Sequence, residues 1–395
     1  MMTKDIQFSF WNYVKCGMLG KEAVQDWKEL GMNLAMSFDF DDRVNPKSDV
    51  LELLDECKKY GIKLIIRDKR TRFKRYMKRT KEEFLAGVRE AYADFGKHEA
   101  TFGFFIGDEP SPDQEEAFIQ TLKILVEEMP NLVPFGNTFA YWGGSDFVMA
   151  TGQKVEKYDE LVDRMLGESK TPVIGFDMYA QCVEEQFNQE TGVQSWFHNL
   201  DKWYEHCKKH DAVCYASALC VGHWTYRVPT EDDIRWQIYT ALAHGMRGIV
   251  WFHLYAYMPE ESYRNAPFYG KNFKRTETFT YIARQQDIFH QYYGEQFNKM
   301  ELTDVYHAGQ IYNPEKRFCS DETLKEVDAQ FGYPTIISYY KEFDTEEKWV
   351  SIVNAHQRNV NKITVTFTCG YKKTFWLAPG EMKLFKVSEV EALVK

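Results

Sequence analysis

One alternation limits what this chain can fold into more than any other feature. Before residue 300, a short apolar run followed by a longer amphipathic stretch occurs eight times. The apolar runs are 5–11, 31–38, 61–67, 101–107, 132–138, 171–177, 211–219 and 245–252. The stretches with helical period are 20–30, 47–60, 80–97, 113–129, 155–168, 196–210, 230–244 and 275–293. A helix between two strands carries the chain back across the sheet, so successive strands lie parallel. Eight such units, starting roughly every 25–40 residues, are the number that closes a (β/α)8 TIM barrel. Local signals agree. Thr230 with Asp233 makes a capping box ahead of Ile234-Arg235-Trp236-Gln237. Gly31, Gly61 and Gly245 stand where helices hand over to the next strand.

After residue 300 the helical period ends. Segments 303–312, 335–342, 348–355, 361–368, 373–377 and 383–387 are rich in Thr, Val, Ile and aromatics and are joined by polar turns such as Pro379-Gly380. The expected organisation is α/β: a barrel over 1–298, then a small C-terminal antiparallel β-sandwich domain over 299–395. No low-complexity linker separates them, so one rigid unit is expected.

Composition excludes some partners. A net charge of −10 argues against nucleic acid and anionic membranes, which select basic surfaces. No apolar run approaches the ~18 residues of a membrane span. The start, Met-Met-Thr-Lys-Asp-Ile-Gln, is unlike a signal peptide, so a cytoplasmic location is expected, with a trimmed leader left open. The eight Cys are scattered and read as reduced, buried residues. No metal or cofactor motif is present, and a homo-oligomer is left open.

In a TIM barrel the active site lies at the C-terminal ends of the strands. Those windows hold Trp11-Asn12-Tyr13, Asp39-Phe40-Asp41-Asp42, Arg67-Asp68-Lys69-Arg70, Asp108-Glu109-Pro110, Asn137 with Tyr141-Trp142, Asp177-Met178-Tyr179, His223-Trp224, and Trp251, His253 and Tyr255. Carboxylates, aromatics and amides are what a sugar site needs: rings stack on flat apolar faces, hydroxyls take polar contacts, and carboxyls move the proton. Aromatics at 16% of the chain fit that use, though a large aromatic core accounts for them equally.

Glu109, aimed at the barrel mouth by Phe102-Gly103-Phe104-Phe105-Ile106-Gly107, is the candidate acid. Apolar surroundings would lift its pKa and keep its proton available for a glycosidic oxygen. The plain alternative is that Asp108 and Glu109 favour the start of the next helix. Asp177 at the end of strand 6 is the leading second carboxylate, with a loop-bonding role as its alternative. Asp108, beside the acid, could instead orient a substrate acetamido group, and Asp39 is a weaker candidate. Trp11, Trp142, Trp224 and Trp251 are candidate stacking platforms or core residues. Asn137, Tyr179 and His223 are candidate contacts to hydroxyls.

The run from Arg67 to Arg79 places eight Lys or Arg in 13 residues of an acidic chain, just after strand 3. It reads either as a solvated loop and helix face or as Arg forks for an anionic sugar. Other chemistries fail on spacing. There is no His-Glu-x-x-His, P-loop or Gly-x-Ser-x-Gly elbow.

Asp108-Glu109-Pro110 at the end of strand 4 resembles the Asn-Glu-Pro acid/base motif of the retaining TIM-barrel glycoside hydrolase clan that includes β-galactosidases and cellulases. Thr230 to Tyr255, with Arg235, Gln237, Gly245 and Trp251-Phe252, resembles the last helix–strand unit of β-galactosidase-like enzymes, and Phe176-Asp177-Met178-Tyr179 is similar to an Asp-x-Tyr strand of related barrels. The resemblance implies a glycoside hydrolase acting on an oligosaccharide or glycoside. Two departures follow. The clan's strand-7 nucleophilic Glu has no counterpart in 216–223, and Asp108 replaces the Asn. An Asp-Glu pair is similar to the substrate-assisted β-hexosaminidases. Three mechanisms stay open: substrate assistance through Asp108, inversion with Asp177 or Asp39 as base, and retention with Asp177 as nucleophile. A carbohydrate-binding pseudoenzyme is the alternative function.

Overall fold

The computed structural model describes residues 5–141, 157–181, 189–257, 262–345 and 347–394. Eight parallel strands form one sheet: β1 Gln7–Phe10, β2 Leu34–Phe40, β3 Lys63–Asp68, β4 Thr101–Asp108, β5 Val133–Phe139, β6 Val173–Asp177, β7 Val213–Leu219 and β8 Gly248–Phe252. Its order, β1-β8-β7-β6-β5-β4-β3-β2, wraps the sheet into the expected barrel. The helices are α1 Ala23–Glu29, α2 Lys47–Tyr60, α3 Lys81–Ala91, α4 Glu115–Glu128, α5 Tyr158–Ser169, α6 Gln189–Lys209, α7 Glu231–Ala243 and α8 Glu277–Tyr292. The capping box at Thr230 is formed, and Gly31, Gly61 and Gly245 all adopt left-handed backbone. The stretch expected as one helix over 80–97 ends its α-helix at Ala91 and continues as a π turn over Tyr92–Gly96.

The barrel closes differently at one seam. Between β1 and β2 the strands are joined by side chains. Asn33 accepts from the Phe8 N–H (2.8 Å) and donates to the Ile6 carbonyl (2.8 Å), and Asn12 donates to the Met36 carbonyl (3.1 Å). An asparagine amide mimics one peptide unit of a ladder. Asn33→Ala is therefore expected to cost about 1–3 kcal/mol, because two backbone groups lose their partners. Denaturant unfolding checks it; an unchanged midpoint would mean the seam does not carry the barrel.

Side chains of period two face the barrel interior and the helix layer alternately. Leu34, Met36, Ile65, Phe102, Phe105, Val133, Phe135, Val173, Tyr215 and Val250 form the interior cluster. Ala35, Ile66, Phe104, Ile106, Ile174, Ala216 and Ile249 pack with the helices instead. The inward stripe turns polar at the top of the barrel: Ile65 leads to Arg67, Phe135 to Asn137, Val173 through Gly175 to Asp177, and Tyr215 to Ser217.

The C-terminal region holds two antiparallel sheets. Strands β9 Met300–Ala308, β11 Thr335–Glu342, β12 Lys348–Asn354 and β15 Met382–Lys386 form one, and β10 Leu324–Ala329, β13 Asn361–Phe367 and β14 Lys372–Leu377 the other. Strand β10, Leu-Lys-Glu-Val-Asp-Ala, was not expected. Only Leu324 is buried along it, so it lacks an apolar run. The sandwich packs on α7: the Trp236 indole donates to the Ala355 carbonyl, Arg235 Nε to Pro379, and Ser338 to Ala243, each at 2.7 Å. The cysteines of the described residues are all free; Cys57, Cys207, Cys214 and Cys220 are buried, whereas Cys319 is exposed. Among the described residues no helix is long and apolar enough to cross a membrane.

Candidate active site

Three carboxyls converge where β4 and β6 end. Asp108 closes β4, Glu109 follows it, and Asp177 closes β6. Asn137 on β5 lies between them, fully buried, and its Nδ2 donates to Asp108 Oδ1 and to Asp177 Oδ1, both at 2.9 Å. One amide nitrogen carries two hydrogens, so each carboxyl receives one. Register pairs Asn137 with Gly175, and a Cβ at Gly175 would sit 2.5 Å from Asn137 Oδ1. The glycine on β6 thus leaves the room that this amide occupies. Ser217 on β7, the register partner of Asp177, accepts from the Trp11 indole at 3.1 Å. Hydrogen bonds therefore tie Asp177 through Asn137 to Asp108 across the mouth, with the Trp11–Ser217 pair beside Asp177.

Glu109 is held apart from those bonds. Its backbone is left-handed, φ 45°, a region that costs a non-glycine residue about 1–2 kcal/mol, and its N–H donates to the Asn137 carbonyl at 3.0 Å. Such strain persists where surrounding structure imposes it, often at functional sites. Loss of solvation raises the Glu109 pKa strongly, and the charges of Asp177 and then Asp108 raise it further. Burial also lifts Asp177 and Asp108. The Asp108 charge adds to the lift on Asp177, while Asn137 and the Arg67 charge partly offset that on Asp108. Carboxyls this close resist ionising together, and Glu109, lifted the most, is the one that keeps a proton.

Around these groups the wall is aromatic. Tyr13 lies parallel over the buried Trp11 at 6.2 Å and is itself 45% exposed. Phe252 bridges Tyr13 (6.0 Å), Tyr179 (5.6 Å) and His223 (5.3 Å). His223 stacks with Tyr263 (4.9 Å) and with Trp224 (4.4 Å), whose ring is 73% exposed. Burial pushes the His223 and His253 imidazoles down to about 4, so both are neutral at physiological pH and able to bond hydroxyls.

Of the residues singled out in the sequence, Asp39, Arg67, Asp108, Glu109, Asn137, Asp177 and Tyr179 come together, with His223 and Trp224 on one flank. Two platforms are corrected. Trp251 is fully buried, with its indole donating to Gln286 on α8 at 2.9 Å. Alternation explains it: Val250 faces inward, so Trp251 faces the helices. Trp11 faces inward but is 1% exposed beneath Tyr13, which presents the open ring in its place. Trp142 lies outside the described residues. Gln237, prominent in the resemblance, bonds both the N–H and the carbonyl of Leu219, a structural task. Arg72, Phe105, Ser217, Phe252 and Tyr263 were missed. Inward parity was a sufficient signal for Ser217 and Phe252; register shifts along β4 put Phe105 out of phase with Phe102, the basic run held Arg72 without distinguishing it, and nothing local marked Tyr263.

The basic run divides by function. Arg70 is buried and paired with Asp68 (2.7 Å) and Asp94 (2.8 Å), and Lys69 reaches Asp41 (3.1 Å), so these residues hold the loop. Arg67 and Arg72 share Asp39 instead, at 3.2 and 2.5 Å. Among the described residues no group of three or more His, Cys, Asp or Glu side chains could hold a metal ion.

No family model matches the chain, and no curated protein is similar to it in sequence. Solved structures are similar to it in fold. A Bacteroides thetaiotaomicron VPI-5482 protein, provisionally assigned as an α-L-fucosidase, is 13% identical over 73% of this chain and 97% of its own, with TM-score 0.50. The β-galactosidase of psychrophilic Marinomonas ef1 is 10% identical over 74% and 62% (TM-score 0.53). The cold-adapted β-galactosidase of Rahnella sp. R3 is 12% identical over 76% and 58% (TM-score 0.54). The chain spans under two thirds of either β-galactosidase. These likenesses identify the TIM-barrel fold.

Proposed function

We propose that the chain is a glycoside hydrolase in which Glu109 is the general acid and Asp177 the partner carboxyl. The observation carrying this reading is the convergence of three carboxyls on an aromatic-walled barrel mouth, Asp108 and Asp177 sharing the Asn137 amide and Glu109 beside them. That mouth is the usual active-site end of this fold. The glycosidases among its structural neighbours support the same class.

Glu109 donates its proton to the glycosidic oxygen as the bond breaks. Asp177 takes precedence over Asp108 because its charge weighs more on Glu109. Held by Asn137, it faces the developing positive charge on the sugar. Asp108 is a positioning residue, anchoring the other half of the Asn137 amide. Tyr13 and Trp224 offer faces to sugar rings, and the neutral His223 offers a hydroxyl contact.

A panel of aryl α- and β-glycosides tests the reading. Turnover by the wild type that is lost in Glu109→Gln supports it. Turnover confined to N-acetyl sugars would move the second role to Asp108 and the substrate's own acetamido group. Sugar binding without turnover, unchanged in Glu109→Gln, would make the chain a carbohydrate-binding protein.

A further inference from the structure

We infer that Arg67 and Arg72 read a carboxylate on the sugar, so that the preferred substrates are uronides. The inference rests on the glycosidase reading and names its substrate class. Arg67 continues the inward stripe of β3 two residues past Ile65, and its charge is felt by Asp108 and by Tyr13. It therefore borders the space where the cleaved sugar would lie.

Both guanidinium groups lie over one ring, Arg67 at 5.5 Å and Arg72 at 4.3 Å from the centre of Phe105. They share a single anion. Asp39 Oδ1 is 2.5 Å from Arg72 Nη2 and 3.2 Å from Arg67 Nε, and the latter contact is too poorly aligned to be a hydrogen bond. One carboxylate is satisfied by one guanidinium, so the second is in excess.

The excess is visible in unmade bonds. The Arg67 side chain is only 8% exposed, yet its Nε and Nη1 have no hydrogen-bond partner among the described residues, and neither has Arg72 Nε. Buried donors are normally bonded, and charged ones most strictly. Arg70 and Lys69, close in sequence, do have acidic partners, so the shortfall belongs to this pair and not to the whole basic run. A planar carboxylate accepts two parallel N–H bonds from a guanidinium, and the half-exposed ring of Tyr13, 5.2 Å from the Arg67 guanidinium, suits the ring that carries it. Burial, and after it the Arg67 charge, pulls the Arg72 pKa down to about 10, and an oxyanion added here would offset the repulsion between the two arginines.

The test uses matched pairs of aryl uronides and hexosides, with wild type and Arg72→Gln, and titration calorimetry of free hexuronates and hexoses. Arg72→Lys, which keeps the charge and loses the fork, guards against a folding failure. The expected result is kcat/KM about tenfold or more higher on the uronide, a preference that Arg72→Gln abolishes through KM and Arg72→Lys reduces in part. Hexosides turned over as well as uronides would overturn the inference and leave the glycosidase reading standing. If nothing is hydrolysed, calorimetry still decides. Hexuronate binding that is lost in Arg72→Gln upholds the carboxylate site while the enzymatic reading falls, and equal or absent binding of both sugar classes overturns it. Sulfated hexosides preferred over uronides would also overturn it.

Discussion

Glu109→Gln is expected to slow hydrolysis of glycosides with poor leaving groups by roughly 10²–10⁴-fold, the usual worth of general acid catalysis, while making the protein harder to unfold at alkaline pH. The kinetic loss should shrink on glycosides whose leaving group departs without a proton. The stability gain follows from linkage. In the unfolded chain Glu109 ionises near pH ~4.3, whereas in the fold it holds its proton to much higher pH. Between those limits the unfolded state binds fewer protons than the native state, so stability falls as pH rises. Glutamine has no proton to hold and escapes that loss. At about pH 8 the variant should gain about 1–3 kcal/mol, since every tenfold difference in proton affinity between fold and unfolded chain is worth ~1.4 kcal/mol; near pH 4 the gain should vanish. Unfolding curves at the two pH values check it. A variant no more stable than the wild type at pH 8 would mean that Glu109 ionises as readily in the fold as outside it.

Asn137→Leu should be nearly as damaging and have the opposite effect on stability. Leucine fills much the same space, and the Asn137 Oδ1 makes no hydrogen bond that would be missed. The two donated bonds to Asp108 and Asp177 are what disappear. Both carboxyls then rise further, and Asp177, already raised to about 7, becomes mostly neutral at neutral pH. Activity is expected to fall about 100-fold, chiefly in kcat, with an apparent cost of about 2–4 kcal/mol in stability at neutral pH, typical of buried charges that lose their donors. The cost should diminish toward pH 4, where protonated carboxyls need the amide less. Equal destabilisation at both pH values would show that Asn137 matters only for packing.

The barrel was legible because its signals are local and repeated: eight apolar runs, helical periods between them and capping residues at their ends. Helix α2 begins and ends where its pattern does, at Lys47 and Tyr60. Strand β10 was not legible, because an edge of a small sandwich with one buried residue has no apolar period to read. At the site, the rule that strands end at the mouth picked out Asp108, Glu109, Asn137 and Asp177, which the fold makes neighbours. It misjudged Trp251, because strand position alone ignores which face a side chain takes, and Trp11, because depth within the barrel depends on what lies above it. Arg72 and Arg70 differ by two residues in one basic run. Only the fold shows that Asp68 and Asp94 occupy Arg70, while Arg72 shares Asp39 with Arg67. Charge runs record a composition; which charge each acid uses up is decided by how neighbouring strands and turns fold together.

The central claim is that Glu109 stands protonated at the mouth of the barrel at neutral pH. Infrared difference spectroscopy of the free protein, wild type minus Glu109→Gln at about pH 7, measures it most directly. The account predicts that the variant loses a protonated carboxyl stretch and no carboxylate band. Loss of a carboxylate band alone would contradict it, because an ionised Glu109 has no proton to give.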